Sequence, residues 1–318
     1  MGEKCNKIMY ICLEGDIMSK ILVCGLVNME TSAPIESFPI TYRPIDYKFF
    51  GINTSPSGVG LNVSLALKTL GDEVRLCSLC GEDAPAESIK STLAQNNISS
   101  EYLLSTNKAT AQSVVLFDNE GKRYIITDLT DNQENSYDKE IFRKALDGCD
   151  VACMCNINYS AALLSVAKEQ GVMIATDVHC LGNIDDEYNK RFMKEADILF
   201  LSNENIAGRE QEFVIQLAET YSPQIIVVGM GSIGAMIYTR ETEEITIVPS
   251  VTTRNVVNTV GAGDSLYSAF IHFYAKSRNP LDSLKKAVYF ASYKIGENGA
   301  AKGFVSEDEL LELIKNKV

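Results

Sequence analysis

Short apolar runs alternate with amphipathic segments along most of the chain. Residues 21–26 form a continuous apolar run, whereas residues 61–70 place apolar side chains at intervals of three and four positions. A continuous run is typical of a strand covered on both faces, and the spaced pattern is typical of a helix with one buried face. Because these patterns recur in turn, they predict an α/β fold with a mainly parallel central sheet and helices on both faces.

The same alternation continues towards the end of the chain. Further strands are predicted over residues 74–79, 151–155, 172–176, 197–201 and 224–228. Helices are predicted around residues 89–93 and over residues 161–168, 187–194, 210–220, 264–276, 281–295 and from 306 onward. A hairpin of residues 235–238 and 245–248 precedes the last three helices. Ser306 and Glu309 have the spacing of a capping box at the final helix.

Two extended segments interrupt the alternation, at about residues 31–57 and 110–130. The first contains four prolines and two strand-like pieces, at residues 35–38 and 47–52, and the second contains a hairpin around residues 118–121. Both are too short to fold alone, so we expect them to pair as a small β-sheet lid. Such a lid would cover the carboxyl ends of the central strands, where ligands bind in open α/β sheets.

Residues 1–17 precede the first convincing strand. They contain a short apolar run but have neither the basic start nor the core of a signal peptide. We interpret them as a dispensable N-terminal extension of a single domain at residues 18–318. No apolar run in the chain has the length needed to span a bilayer.

The composition indicates a soluble globular protein, because 46% of the residues are hydrophobic and 22% are charged. The net charge of −13 argues against a nucleic acid or an anionic membrane as a partner, although a nucleotide can still bind local amide groups. Nine cysteines without an export signal favour reduced thiols in the cytoplasm. Cys77 and Cys80 have a metal or redox spacing, but strand alternation predicts that they face opposite sides of the sheet and pack in the core.

A stretch of small residues, 258–264, opens a long apolar helix near the C-terminus. Gly261, Ala262 and Gly263 carry little or no side chain, so a ligand can approach their backbone closely. The first N–H groups of a helix are unpaired and carry partial positive charge, which favours anions. Asp264 at the mouth of such a site is placed to accept a proton from an attacking hydroxyl. The alternative, from the residues alone, is that Asp264 only caps the helix.

Five motifs resemble, in order, those of the pfkB family of carbohydrate kinases, which has a ribokinase-like fold. Residues 258–264 are similar to the C-terminal signature of that family, and residues 57–62 to its N-terminal glycine signature. Residues 25–30 are similar to its sugar-binding turn, residues 81–83 to the Gly-x-Asp after the next strand, and residues 229–234 to its nucleotide-binding turn. The order of the motifs along the chain is more specific than any one of them.

The resemblance implies transfer of the γ-phosphate of ATP to a hydroxyl, usually a hydroxymethyl group, of a small sugar. It implies that Asp264 is the catalytic base and that the amides of Gly261, Ala262 and Gly263 form the anion hole, roles that phosphoryl transfer requires. The residues implied to bind the acceptor are Asn28, Glu30, Gly58, Val59, Gly60 and Asn62. Those implied to bind ATP with Mg²⁺ are Asn203, Gly229, Gly231, Ser232, Gly234, Gly263, Ala291 and Ser292.

Several positions depart from the family pattern. Ser57 replaces the first glycine of the N-terminal signature, and Glu30 replaces an aspartate. The longer side chain of Glu30 indicates an acceptor that differs from ribose in size or pose. Val59 stands where several relatives have lysine, which favours an unphosphorylated sugar. Ile206 replaces a glutamate that helps to organise magnesium, so Glu204 is the candidate metal ligand.

The residues also leave alternatives open. Asn28 and Asn62 alone would suit ordinary turn and capping roles. In the family, an aspartate at the position of Asn258 often helps to hold a monovalent cation. The replacement leaves open whether potassium is a cofactor.

Other functions remain to be weighed against a sugar kinase. Aromatic residues at 47, 49 and 50 could stack on the base of a nucleoside acceptor or simply pack the lid. A weakly catalytic ligand sensor is a further alternative, and an oxidoreductase lacks its Gly-x-Gly-x-x-Gly after the first strand. The edge of the lid predicts a homodimer.

Overall fold

The computed structural model describes residues 18–118 and 121–317, so the extension at residues 1–17 lies outside the described residues. Within these ranges the strands are β1 (Lys20–Cys24), β2 (Asn28–Pro34), β3 (Asn53–Ser57), β4 (Glu73–Cys80), β5 (Leu103–Ser105), β6 (Gln112–Phe117), β7 (Arg123–Asp128), β8 (Val151–Met154), β9 (Met173–Asp177), β10 (Ile198–Ser202), β11 (Ile225–Gly229), β12 (Gly234–Thr239) and β13 (Glu244–Pro249). The helices are α1 (Val59–Leu70), α2 (Ala84–Gln95), α3 (Lys139–Leu146), α4 (Asn158–Ala161), α5 (Leu164–Glu169), α6 (Lys190–Met193), α7 (Glu210–Tyr221), α8 (Ala262–Ser277), α9 (Pro280–Lys294) and α10 (Glu307–Lys315).

Nine strands form the central sheet in the order β13-β12-β11-β10-β9-β8-β1-β4-β5. Among the described strands, neighbours from β11 to β5 run parallel, and the hairpin of β12 and β13 adds two antiparallel pairs at one edge. The predicted mainly parallel sheet and the predicted hairpin at residues 235–238 and 245–248 are confirmed.

Strand β1 explains how the sheet is covered on both faces. Ile21, Leu22, Val23 and Cys24 have no exposed surface. Ile21 and Val23 join the core that contains α1, α8 and α9, whereas Leu22 and Cys24 join the core that contains α3, α5 and α7. Complete burial of one such aliphatic side chain contributes about 1.5–3 kcal/mol. The apolar run therefore predicted correctly a strand between two layers of helices.

Cys77 and Cys80 lie on opposite faces of β4, as strand alternation predicted. Cys77 belongs to the core around α3, and Cys80 belongs to the core around α1. Burial raises the pKa of the Cys77 thiol to about 12. Both side chains contribute to packing.

A second sheet has the order β3-β2-β6-β7 and forms the predicted lid. The two extended segments pair through β2 and β6, which run parallel from the Met29–Gln112 pair onward. The predicted strands at residues 35–38 and 47–52 were wrong, because these residues form an irregular, largely exposed loop between β2 and β3. Prolines lack the N–H that a strand ladder requires, so pairing occurs on either side of the proline-rich stretch.

Short elements account for most of the remaining differences. The predicted helix at residues 187–194 is reduced to the four residues of α6, and β5 was not predicted because three residues carry no recognisable pattern. The capping box of α10 is confirmed, since Ser306 and Glu309 exchange side-chain to backbone hydrogen bonds. None of the helices in the described part of the chain is long and apolar enough to cross a membrane.

Two polar contacts hold α8 beside α1. In the first turn of each helix, Asn62 Nδ2 donates to Asp264 Oδ2 at 2.8 Å. Just beyond the end of α1, Asp72 Oδ2 lies 2.8 Å from Nδ1 of His272 on α8, and neither side chain is exposed. The helices therefore run in the same direction, and both begin at the edge of the sheet where β1 ends.

Candidate active site

Helix α8 begins at the turn of small residues. Gly261 is its N-cap with φ +77°, and a Cβ there would lie 2.8 Å from the carbonyl oxygen of Ala300. Gly263 is exposed, and a Cβ there would meet nothing within 4 Å. Within the described ranges, no hydrogen-bond acceptor is paired with the backbone N–H of Gly263 or Asp264, but that of Ala262, also predicted to face the anion, donates to the carbonyl oxygen of Thr259 at 3.2 Å. These N–H groups, like those of other helix starts, are suited to hold an anion.

Hydrogen bonds connect Asp264 to two of the predicted acceptor-binding residues. Asn62 donates to Asp264, and Ser57 Oγ lies 3.4 Å from Asn62 Oδ1 and 3.3 Å from Glu30 Oε2. A hydroxyl has one proton, so Ser57 donates to one of these oxygens at a time. Ser57, a departure from the family signature, thus links the carboxylate on β2 with the amide on α1.

This environment raises the pKa of the Asp264 carboxyl above its ordinary value. Burial is the main cause, and the charge of Asp177 adds to it. The hydrogen bond from Asn62 and the positive charges of His179 and Lys294 lower the pKa again. A carboxylate with increased proton affinity is well suited to act as a general base.

Glu30 and a further predicted acceptor-binding residue, Asn28, both lie on β2. Burial raises the pKa of Glu30, against the opposing effect of its hydrogen bond with Ser57. Asn28 donates from Nδ2 to Ser113 Oγ at 2.9 Å, while its Oδ1 is buried and has no partner among the described residues. A buried acceptor left unpaired costs about 1–3 kcal/mol. A hydroxyl of a bound ligand would remove this cost.

The glycines at the start of α1 have a clear packing role. Gly58 has φ +99°, and a Cβ there would lie 2.6 Å from the carbonyl oxygen of Leu26. A Cβ at Gly60 would lie 2.5 Å from the carbonyl oxygen of Gly25. Both glycines therefore let the start of α1 approach the backbone that leaves β1. Val59, the first residue of α1, packs against the core, and the direct contact of these three residues with an acceptor stays a prediction.

The predicted nucleotide-binding segments lie close together. Ser250 Oγ donates to the carbonyl oxygen of Ser232 at 2.6 Å, and Ser292 Oγ donates to that of Val251 at 2.7 Å. The turn between β11 and β12 is therefore joined through residues 250–251 to α9, which also carries Ala291. Gly229 ends β11, Gly231 in the turn has φ +54°, and Gly234 at the start of β12 has φ +122°.

In the segment after β10, the carboxylate that contacts Asn203 is that of Glu210, which was not predicted. Asn203 Nδ2 donates to Oε1 of Glu210 at 2.9 Å, and this bond lowers the pKa of Glu210. Glu204 Oε1 instead lies 3.5 Å from Arg123 Nη2 of the lid, and Glu204 Oε2 accepts from Cys180 Sγ. Ile206 is in the core with 1% of its surface exposed. Glu210 was not predicted from the sequence, because it is seven positions from Asn203, outside the expected spacing.

Three positively charged residues near the site were also missed. His179 has φ +55° and places Nδ1 3.4 Å from Asp177 Oδ2; burial lowers the pKa of this imidazole, but the carboxylate outweighs that effect and raises it to about 9. Lys294 ends α9 with no exposed surface. Arg123 reaches from β7 to Glu204 across the lid. A lone histidine and scattered basic residues have no spacing that could have identified them.

The pfkB carbohydrate kinase family model matches residues 18–307, in agreement with the sheet, the lid and the α8 turn. The chain belongs to the pfkB family of carbohydrate kinases and is an enzyme of that class. The ribokinase of Dictyostelium discoideum is 23% identical over 320 residues, which cover 92% of this chain and 99% of that protein.

Solved structures establish the ribokinase-like fold. The microbiome-derived acarbose kinase Mak1 superimposes with a TM-score of 0.84 at 23% identity, over 94% of this chain and 99% of its own. The Burkholderia thailandensis nucleoside kinase, solved with inosine, has a TM-score of 0.74 at 15% identity over 93% of this chain and 97% of its own. The fold is thus shared by proteins named for different acceptors.

We predict that Gly58 cannot be replaced without a large loss of stability, because a Cβ there would collide with the carbonyl oxygen of Leu26. Gly58→Ala should lower the free energy of unfolding by more than about 3 kcal/mol, because both a positive φ and a backbone collision oppose the new Cβ. Gly71→Ala is the control for a positive φ without a collision, since Gly71 has φ +107° but nothing within 4 Å of its Cβ position. That variant should lose only about 1–2 kcal/mol. Equal losses in urea denaturation would show that the collision at Leu26 has no energetic effect.

Proposed function

We propose that this kinase transfers the γ-phosphate of ATP to a hydroxyl, most simply a hydroxymethyl group, of a small unphosphorylated sugar. The observation that supports the proposal is the position of Asp264 beside the open N–H groups that begin α8. A general base and an anion site in the same helical turn are the two parts that phosphoryl transfer needs from a protein.

In this proposal each part of the turn has a separate task. The backbone N–H groups of Gly261 and Gly263 stabilise charge on the phosphoryl oxygens, whereas that of Ala262 donates to the carbonyl oxygen of Thr259. Asp264 orients the acceptor hydroxyl and takes its proton as the oxygen attacks phosphorus. Asn62 fixes the carboxylate through its 2.8 Å hydrogen bond, so that one oxygen remains for the hydroxyl.

The acceptor lies, in this proposal, between β2 and the start of α1. The unpaired Oδ1 of Asn28 accepts from one hydroxyl, and the carboxylate of Glu30 accepts from another. Val59 offers no charge for a phosphate group, which favours a neutral sugar. A nucleoside is the second candidate, because Tyr47 and Phe49 are stacked with ring centroids 6.2 Å apart and lie exposed in the loop between β2 and β3.

Magnesium fits the site as an ion held mainly by phosphates and water. Among the residues that the structure describes, no group of three or more His, Cys, Asp or Glu side chains could hold a metal ion. Mg²⁺ commonly retains several waters and binds through substrate phosphates and one or two carboxylates. When bound with ATP it would neutralise phosphate charge. Glu204 remains the proposed ligand, and Glu210, held by Asn203, is the second carboxylate in reach of the same segment.

We also propose that two chains associate through the lid. Strand β7 is an edge of the lid sheet, and all six of its residues are exposed, including Tyr124, Ile125 and Ile126. An exposed edge with apolar side chains is a site for pairing with another strand.

A cytoplasmic location agrees with the free thiols of the seven cysteines in the described ranges, six of which are buried.

The proposed function predicts loss of turnover in Asp264→Asn. ADP release should be measured with ribose, fructose and inosine, and the variant should lose about 10²–10⁴ in kcat with its best acceptor because the base is gone. Asp282→Asn, at an exposed position of α9, is the control and should retain the wild-type rate. Equal turnover by the wild type and Asp264→Asn would contradict the role of Asp264. Absence of turnover in both, with ligand-induced thermal stabilisation, would instead support a sensor.

The dimer is tested by light scattering at micromolar concentration, where the expected mass is twice the 35.0 kDa of one chain. Ile125→Lys should shift the mass to that of a monomer, because it places a charge on the exposed lid edge. Ile215→Lys is the matched control, since Ile215 on α7 is 46% exposed and Ile125 is 47% exposed. A monomeric wild type would exclude the proposed dimer.

A further inference from the structure

Lys294 is a fully buried cation directly behind the anion-binding turn. It is the last residue of α9, has no exposed surface, and donates from Nζ to the carbonyl oxygen of Val260. Val260 immediately precedes Gly261, the N-cap of α8. An unpaired buried ammonium is costly, so lysine is rarely buried completely unless other groups compensate it.

The compensation comes from the two carboxylates of the proposed site. Burial lowers the pKa of Lys294 to about 8, while the negative charges of Asp264 and Glu30 oppose that effect. Two other basic groups, Arg123 of the lid and Arg254 before α8, contribute to the lowering. The ammonium therefore interacts electrostatically with both acidic side chains that the acceptor would contact.

The turn that Lys294 contacts is also held from the same side by the end of α9. The carbonyl oxygen of Ile295 accepts from the N–H of Val257 at 2.8 Å and from that of Asn258 at 3.1 Å. Asn258 Oδ1 in turn accepts from the N–H of Val260, and its Nδ2 donates to Asn298. Of these contacts, only the hydrogen bond from Lys294 brings a full positive charge to the turn.

Resting on the proposed function, we propose that Lys294 is a positioning residue that acts as a built-in cation. Its ammonium fixes the carbonyl of Val260, and with it the N–H groups that begin α8, and it favours the ionised form of Asp264. A cation tethered in this place removes the need for a monovalent metal ion beside the turn. In a site of low polarity such a fixed charge acts strongly and needs no rearrangement during the reaction.

The test compares Lys294→Met, Lys294→Ala and Lys294→Arg with the wild type, using the sugar or nucleoside acceptor that gives the fastest ADP release. In a buffer that contains Mg²⁺ as its only metal ion and choline as its only monovalent cation, the wild type should reach its full kcat. Added KCl should not increase that kcat. Lys294→Met should lose about 100-fold in kcat with KM for the acceptor changed less than about threefold, comparable to the loss of one stabilising donor. Lys285→Met, at an exposed position of α9, should match the wild type.

Chemical rescue separates positioning from a merely structural role. Potassium, ammonium or methylammonium at about 0.1 M should restore at least tenfold in kcat to Lys294→Ala, which leaves space for them, but not to Lys294→Met. The wild-type kcat/KM should fall as pH rises through about 8, since the ammonium then loses its proton, and Lys294→Arg should keep a level profile there. Wild-type kcat in Lys294→Met without added potassium would overturn the proposal.

Other measurements decide if Lys294→Met does not fold or if the wild type is inactive. If Lys294→Met does not fold by circular dichroism, the wild-type choline assay and the Lys294→Arg pH profile decide, and a wild type that requires potassium would overturn the proposal. If the wild type phosphorylates no acceptor, the proposed function fails separately. Binding of ADP with aluminium fluoride, a mimic of the transferring phosphoryl group, then tests Lys294. The mimic should bind about tenfold more weakly to Lys294→Met, and equal affinity would overturn the proposal.

Discussion

The hydrogen bond from Asn62 to Asp264 is the contact on which the site depends. It joins the first turns of α1 and α8, whose residues are 202 positions apart in the chain. The bond forms only because Gly58 and Gly60 let α1 approach the backbone after β1, and because α8 begins at a small-residue turn beside it. The parallel sheet and its two cores hold these helix starts at one edge, so the fold places the base and the anion site together.

Charge balance is the second constraint on this region. Asp264, Glu30 and Asp177 bring negative charge to a largely buried region, and His179 and Lys294 bring positive charge close to it. A buried charge without such a partner would shift its proton affinity until it became neutral. Each opposite charge therefore favours the charged form of its neighbours against the effect of burial, and loss of one changes the titration of the rest.

The sequence predicted the parts of the molecule that are coded locally. The apolar run of β1, the turn at Gly261 and the capping box of α10 each depend on neighbouring residues, and the structure has all three. Strand pairing is not local, so the lid strands at 28–34 and 53–57 were displaced from their predicted positions. Lys294 and Glu210 gain their surroundings only through tertiary contacts, which no spacing along the chain reveals.

The most direct test of this account is the pH dependence of kcat/KM in the wild type and in Asn62→Asp. This replacement places a second carboxylate 2.8 Å from Asp264 in the position of the present donor. Because a neighbouring negative charge raises the pKa of a carboxyl, the acidic limb, below which the base is protonated, should move to higher pH by about one unit or more. An acidic limb at the same pH in both proteins, with the variant folded, would contradict the assignment of Asp264 as a base controlled by Asn62.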